Sequence, residues 1–145
     1  MDQLLRSHAE AIVSASIQAV QPDEAVSRAL RGQDFPGRVV LVAAGKAAWQ
    51  MARAAYDCMG EKIEKGVVIT KYGHVMGPIG NLDCREAGHP VPDEGSFTAT
   101  QAALDMVEGL TERDTVLFLL SGGGSALFEK PLIPGEELQD ITNQL

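Results

Sequence analysis

Several features that would assign a sequence quickly to a class of protein are scarce or missing here. The 145 residues include two cysteines, Cys58 and Cys84, whose spacing fits neither a metal site nor a redox motif. No run of about 18 uncharged apolar residues occurs, which argues against a transmembrane helix. The N-terminus lacks the basic segment and apolar stretch of a secretory signal. We therefore expect a cytoplasmic protein without a membrane partner.

Basic residues are also in short supply. The chain carries 12 basic and 20 acidic residues, which gives a formal net charge of −8. A nucleic acid is not an expected partner, because neutralising its phosphates requires a basic surface. A small anion could still bind, provided that a lysine or a ring of backbone N–H groups acts locally against the overall negative field.

Apolar residues, in contrast, are plentiful and regularly spaced. They form 45% of the chain, which is enough for one compact core at this length. Short apolar segments predict strands at 38–43, 66–70 and 115–120, with a shorter candidate at 83–87. Spacing of three and four residues predicts helices at 4–20, 22–31, 47–59, 93–108 and from 134 onward. Alternating strands and helices are typical of an α/β domain with a mostly parallel sheet.

The last predicted helix has no stop signal before Leu145. We therefore expect the sequence to be part of a longer protein. A complete small protein with a terminal helix is the alternative.

The most unusual segment follows the strand predicted at 115–120 and reads Ser121-Gly122-Gly123-Gly124-Ser125. Glycines let the backbone approach a ligand closely. Their N–H groups can converge on an anion, helped by any helix that follows. The segment is neither a Walker A loop nor a G-x-G-x-x-G fingerprint. We interpret it as a phosphate or carboxylate site, with a plain tight turn as the alternative.

A lone lysine, Lys46, follows the strand predicted at 38–43 and precedes a helix. A cation in the first turn of a helix is unfavourable for the helix dipole, and its neighbours in the sequence Ala43-Ala44-Gly45-Lys46-Ala47-Ala48 include no carboxylate. This placement favours an anionic ligand as the partner of Lys46. The alternative is a lysine that simply reaches water.

Other polar residues at predicted strand ends are weaker candidates. His74 and His89 could carry protons near neutral pH or serve as structural loop residues, and we favour the structural role. Glu86 could bind a ribose hydroxyl or a hydroxylated substrate, or lie in solvent. Asp93 is predicted to cap a helix. No cluster of metal ligands is evident, so we predict no metal site.

Four motifs in a fixed order carry a specific resemblance. They read Val42-Ala43-Ala44-Gly45-Lys46-Ala47-Ala48, Gly66-Val67-Val68-Ile69-Thr70-Lys71-Tyr72-Gly73-His74, Glu86-Ala87-Gly88-His89-Pro90-Val91-Pro92-Asp93-Glu94 and Leu119-Leu120-Ser121-Gly122-Gly123-Gly124-Ser125-Ala126-Leu127. With the opening helix pair around Pro22, their order and spacing resemble the glycerate 2-kinase family. Members of that family are also labelled hydroxypyruvate reductase. The resemblance runs from about Leu4 to the end.

The resemblance implies a Rossmann-like, three-layer αβα domain, of which residues 1–145 form the N-terminal portion. The rest of that domain and a C-terminal module called MOFRL would lie outside the chain. The implied reaction is phosphorylation of D-glycerate to 2-phosphoglycerate with ATP and Mg²⁺, in a cleft between two domains. Because the chain would hold at most half of that cleft, we expect no turnover from these 145 residues alone.

The resemblance also implies roles for individual residues. Lys46 would be catalytic, by offsetting charge on the phosphates or the substrate. Glu86 and His89 would lie on the substrate or nucleoside side of the cleft. The phosphates would be held by Ser121, Gly122, Gly123, Gly124 and Ser125.

Two other functions remain open from the sequence. One is an NAD(P)-dependent hydroxypyruvate reductase, although the turn at Lys46 lacks the spaced glycines that admit a dinucleotide. The other is a non-catalytic domain that binds a sugar phosphate or a nucleotide. The exact hydroxy acid, the phosphorylated position and the oligomeric state are undetermined, with a homodimer as one option.

Overall fold

The computed structural model describes residues 2–124 and 126–145. Its strands are β1 (Val39–Ala44), β2 (Ile63–Lys71), β3 (Asp83–Ala87) and β4 (Thr115–Leu120). They form one sheet in the order β3-β2-β1-β4, and each pair of neighbours runs parallel. The predicted α/β class with a parallel sheet is therefore confirmed. Every residue of β1 is buried, as expected for a central strand that is apolar on both faces.

The helices begin and end where the local sequence chemistry indicates. They are α1 (Asp2–Ala19), α2 (Pro22–Leu30), α3 (Ala48–Met59), α4 (Glu94–Val107) and α5 (Gly135–Gln144). Helix α3 ends at Gly60, whose φ of +56° favours glycine. Helix α4 begins with a capping box, in which Asp93 accepts the Ser96 N–H and the Ser96 hydroxyl accepts the Asp93 N–H. The predicted capping role of Asp93 is therefore confirmed.

Two apolar clusters lie on opposite faces of the sheet. On one face, Leu41 and Val68 pack with the buried alanines of α3, and α2 adds Val26. On the other face, Val42 and Ile69 pack with the buried alanines of α4. Helices therefore flank the sheet on both faces in a three-layer arrangement. Because the alanines of α3 are small, that helix can lie close to the strands.

Helix α1 contrasts with this core. It is exposed along its whole length, although its sequence carries an apolar stripe. Among residues 2–124 and 126–145, no helix has both the length and the apolar character needed to cross a bilayer.

Candidate functional site

The strand order creates a crevice between β1 and β4. From β1 the chain passes through α3 to β2 on one side, whereas it reaches β4 on the other side only after β3 and α4. The chain therefore leaves β1 towards one side of the sheet and returns to β4 on the other side of β1. Ligands of open parallel sheets bind at such switch points, beyond the carboxyl ends of the strands. The Lys46 turn follows β1 there, and the glycine-rich segment follows β4.

Ser121 joins the two strand ends. Its backbone N–H donates to the Ala44 carbonyl at 3.0 Å, and its Oγ accepts the N–H of Ala47 at 2.9 Å. That second bond satisfies an amide at the start of α3, where the helix lacks a side-chain cap of its own. A glycine is required at position 45, next to this bond. Gly45 has a φ of +118°, and an added Cβ would overlap the Ser121 backbone and hydroxyl oxygens.

A cavity of ≈ 360 Å³ opens at this junction. It is lined by Gly45, Lys46, Ala47, His89, Ser121, Gly122, Gly123, Gly124 and Leu127. The structure therefore brings together the predicted lysine, the predicted histidine and most of the predicted phosphate loop, although they lie up to 78 positions apart in sequence. Ser125, the last residue of that predicted loop, lies outside the described residues.

The glycine segment turns back on itself at the mouth of the cavity. Gly122 and Gly124 have φ values of +66° and +65°, which disfavour any side chain with a Cβ. After the segment, the Phe128 N–H donates to the Gly124 carbonyl at 2.9 Å. No helix begins between residues 126 and 134. The helix N-terminus that borders the cavity is consequently that of α3.

Lys46 supplies the positive charge of this cavity. Its side chain is exposed, and it forms no ion pair within residues 2–124 and 126–145. The three ion pairs present there involve Arg38, Arg53 and Arg85 instead. A lysine at the positive end of α3 without a carboxylate partner is arranged to meet a negative ligand.

Glu86 lies near this region but does not line the cavity. Its Oε1 accepts the backbone N–H groups of His74 and Val75, at 3.0 and 2.9 Å. Hydrogen bonds from the Val75 and Gly73 amides lower the pKa of Glu86 below its ordinary value, so the carboxylate stays charged. Glu86 thus holds the loop that follows β2, an arrangement that its sequence context did not indicate. Direct contact between Glu86 and a substrate stays a prediction.

Asp93 organises the segment that carries His89. Its carboxylate accepts the Gly88 N–H at 2.9 Å and the Tyr72 hydroxyl at 2.8 Å, in addition to its bond to Ser96. Burial raises the pKa of Asp93, but these hydrogen bonds outweigh it and leave the pKa below its ordinary value. One capping carboxylate therefore fixes both the start of α4 and the backbone before His89.

The chain offers few ligands for a cation at the cavity. Among the described residues that line it, none is a carboxylate, and Ser121 supplies the only side-chain oxygen. Within the described part of the chain, no three His, Cys, Asp or Glu side chains are grouped to hold a metal ion. Mg²⁺ prefers oxygen ligands, commonly carboxylates together with substrate phosphates. The described residues that line the cavity therefore do not fit Mg²⁺ as a resident ion.

These features define an α/β domain whose candidate site is a cavity of backbone amides, one lysine and one histidine at the switch point of a parallel sheet. The family described as "Domain of unknown function (DUF4147)" matches residues 8–145. The chain belongs to this family, the N-terminal domain of the glycerate 2-kinase family.

Relatives with named functions support this assignment. The chain is 55% identical to a D-glycerate 2-kinase of Thermotoga maritima over 143 residues, which cover 97% of the chain and 34% of that protein. An Agrobacterium vitis protein named "Putative hydroxypyruvate reductase" is 41% identical over 121 residues, or 83% of the chain and 27% of that protein. The crystal structure of glycerate kinase from Thermotoga maritima matches with a TM-score of 0.89 at 54% identity, covering 97% of this chain and 34% of that one. The chain thus spans about a third of the length of these relatives.

Proposed function

We propose that this chain forms the phosphate-binding part of a glycerate 2-kinase, which transfers the γ-phosphoryl group of ATP to the 2-hydroxyl of D-glycerate. The observation that carries the proposal is the convergence of Lys46 and Gly122–Gly124 on one cavity at the β1–β4 switch point. The similarity to the D-glycerate 2-kinase of Thermotoga maritima supports the same reaction. The remainder of the nucleotide domain and a C-terminal MOFRL domain would complete the cleft.

In this proposal each group has a role in positioning and charge neutralisation, which dominate phosphoryl transfer. The Lys46 ammonium offsets negative charge on the transferred phosphoryl group. The amides of the glycine segment and the N-terminus of α3 hold phosphate oxygens without a competing side chain. Mg²⁺ would have to be held by the phosphates and by residues outside this chain. The cytoplasm is the proposed compartment, since Cys58 and Cys84 are both free thiols.

A chimera tests the proposal directly. This chain replaces the corresponding third of the Thermotoga maritima D-glycerate 2-kinase, and ADP release is measured with and without D-glycerate. We expect glycerate-dependent ATP consumption that falls at least about 1,000-fold in a Lys46→Met variant, since a charge aimed at the transition state is lost. The 145-residue chain alone should show no turnover.

An exposed lysine provides the matched control. Lys62→Met removes the same charge at a residue outside the cavity and should leave turnover unchanged. A folded chimera without glycerate-dependent turnover would leave a non-catalytic binding domain as the better description. NADH oxidation with hydroxypyruvate by the same chimera would favour the reductase.

A further inference from the structure

A second, smaller cavity lies on the other side of Lys46. It measures ≈ 280 Å³ and is lined by Lys46, Ala47, Trp49, Gln50, Gly73, His74 and Met76. Lys46 and Ala47 are the residues that it shares with the cavity of the glycine segment. One lysine therefore borders two neighbouring spaces, of which one is rich in backbone amides and the other in side chains. Two reactants that exchange a phosphoryl group need such an arrangement, with a cation between them.

The wall of this second cavity is held at several points. The loop that follows β2 is bound by Glu86 at the backbone N–H groups of His74 and Val75. At its far end, Trp49 donates its indole N–H to the Gly77 carbonyl at 2.8 Å. The loop is thus tied both to β3 and to α3 before any ligand binds. A wall fixed in this way lowers the entropy cost of ordering a site around a small molecule.

The His74 ring has a defined orientation within this wall. Its Nδ1 lies 3.3 Å from the Lys46 carbonyl oxygen, which can only accept a hydrogen bond. This contact assigns the proton of the neutral ring to Nδ1. Nε2 is then left as an acceptor, which suits a hydroxyl donor. Lys46 supplies the complementary positive charge for a carboxylate.

Gln50 adds a further polar group. Its Nε2 donates to the side chains of Gln21 and Asp23, at 3.1 and 2.9 Å. Those bonds fix the amide and leave its oxygen as the acceptor that a ligand can use. The cavity therefore offers one cation and two acceptors between the apolar walls of Trp49 and Met76. This combination matches a short chain with one carboxylate and one or two hydroxyl groups.

We propose that this cavity binds the small hydroxy acid, while the cavity of the glycine segment binds the phosphates. In this arrangement Lys46 contacts the acid's carboxylate or the incoming phosphoryl group, and His74 accepts a hydrogen bond from a hydroxyl of the acid. Glu86 is a positioning residue, because it acts through the loop that carries His74. The proposal rests on the proposed function and deepens it by naming the acceptor's place.

The chain contains its own reporters for this proposal. Its single tryptophan, Trp49, lines the second cavity and not the first. Its three histidines are separated as well: His74 lines the second cavity, His89 lines the first, and His8 lies on the exposed helix α1. Imidazole NMR signals and tryptophan emission therefore report on each place separately.

The test titrates the chain with D-glycerate, ATP and adenosine in separate experiments. D-Glycerate should shift the His74 signals and the Trp49 emission and leave His8 unchanged. ATP should shift His89 and the amides of Gly122–Gly124. A glycerate shift at His89 in place of His74 would overturn the proposal, as would the absence of any effect at His74 and Trp49. A shift of the His74 signals caused by adenosine would assign the second cavity to the nucleobase and would also overturn the proposal.

Kinetics in the chimera separate positioning from folding. His74→Asn should raise KM for D-glycerate about tenfold with KM for ATP unchanged, because one hydrogen bond to the acid is lost. Glu86→Ala should act similarly, whereas Glu86→Gln keeps an acceptor oxygen for the loop and should restore most of the affinity. His8→Asn is the matched control without effect. Equal rises in both KM values would contradict the assignment.

The failure of this inference is distinguishable from failure of the proposed function. If ATP leaves His89 and Gly122–Gly124 unperturbed and the chimera does not turn over, the kinase proposal fails. If turnover occurs but D-glycerate acts away from His74, the kinase proposal holds and the placement of the acid fails.

Discussion

The two ends of the sheet differ in whether a charged side chain there is bound by another part of the chain. At the end where β1 and β4 begin, the Arg38 side chain and backbone N–H bind both oxygens of Asp114, at 2.8 to 3.1 Å. The Asp114 side chain is 6% exposed there. At the end where the strands finish, Lys46 is exposed without an ion pair among the described residues. We call the first the closed end, because its carboxylate is bound internally, and the second the open end, because its lysine has no such partner among the described residues.

The two ends also differ in concavity. The depression beside Arg38 and Asp114 measures ≈ 1020 Å³, nearly three times the cavity at Lys46. Yet Asp114 is also engaged by the Thr111 backbone N–H and hydroxyl, at 2.8 and 3.0 Å, and so completes a turn. A site for a ligand needs groups that are available to it, and the exposed Lys46 beside the glycine segment is such a group.

The largest effect on stability is expected from adding one methyl group at the closed end. An added Cβ at Gly37 would overlap the Arg113 carbonyl, which is backbone and cannot rotate away. We expect Gly37→Ala to lower the free energy of unfolding by about 3 kcal/mol, as overpacking does. Urea denaturation measures the change. Ligand shifts at His89 should persist in the folded fraction. If Gly37→Ala unfolded at the same urea concentration as the unsubstituted chain, the backbone at this end would be able to shift and accommodate the methyl group.

The Arg38–Asp114 pair should make stability depend on acid. The hydrogen bond from Arg38 is the main cause that holds the pKa of Asp114 well below its ordinary value. A folded pKa below the unfolded value of about 3.9 stabilises the protein above that pH, and this stabilisation is lost as pH falls towards the folded pKa. Asp114→Asn should therefore lower Tm at pH 7, and the gap to the unsubstituted chain should narrow below about pH 4.

An exposed ion pair gives the control for this pH dependence. Asp57 pairs with Arg53 on the surface of α3, with a side chain that is 57% exposed. Asp57→Asn should change Tm little, because exposed pairs of this kind contribute little to stability. If the Asp114→Asn gap in Tm stayed constant down to pH 2, Asp114 would not be the group whose protonation matters.

At the open end, a methyl group should affect binding without affecting folding. An added Cβ at Gly123 meets no atom of the described residues within 4 Å, and its φ is outside the left-handed region. We expect Gly123→Ala to keep its stability within about 0.5 kcal/mol and to weaken ATP binding roughly tenfold, because the methyl group occupies the approach to the loop amides. Calorimetric titration with ATP measures the affinity. An unchanged Kd would favour the plain-turn interpretation of this segment.

The closed end and the open end also differ in how far the sequence could predict them. The strands that border both ends followed from short apolar segments, and the predictions for β3 and β4 agree with the structure residue for residue. The strand predicted at 66–70 was too short, because β2 begins at Ile63 and its first residues include the polar Glu64 and Lys65. An alternating start of this kind does not resemble a buried strand.

For the site, the sequence could predict residues but not their partners. Lys46 and the glycine segment stood out because they break local preferences at strand ends. The tie between Glu86 and the His74 loop spans 12 positions, and the bond from Trp49 to Gly77 spans 28. Such bonds depend on strand order and loop path, which periodicity does not encode. The structural role predicted for His74 agrees with its ring contact to the Lys46 carbonyl oxygen, but the sequence did not indicate that partner.

A smaller loss of stability than at Gly37 should come from Ser121, which joins the two strands at the open end. Ser121→Ala removes the acceptor of the Ala47 N–H and should lower the free energy of unfolding by about 1 kcal/mol. The Ala47 amide should then exchange faster with solvent, while amides in the core of β1 keep their protection. Ser121→Thr retains the hydroxyl and should preserve the protection of Ala47. Since the closed end is held by several bonds to one carboxylate and the open end by this single hydroxyl, an unchanged exchange rate at Ala47 would mean that backbone pairing alone holds the α3 N-terminus against β4.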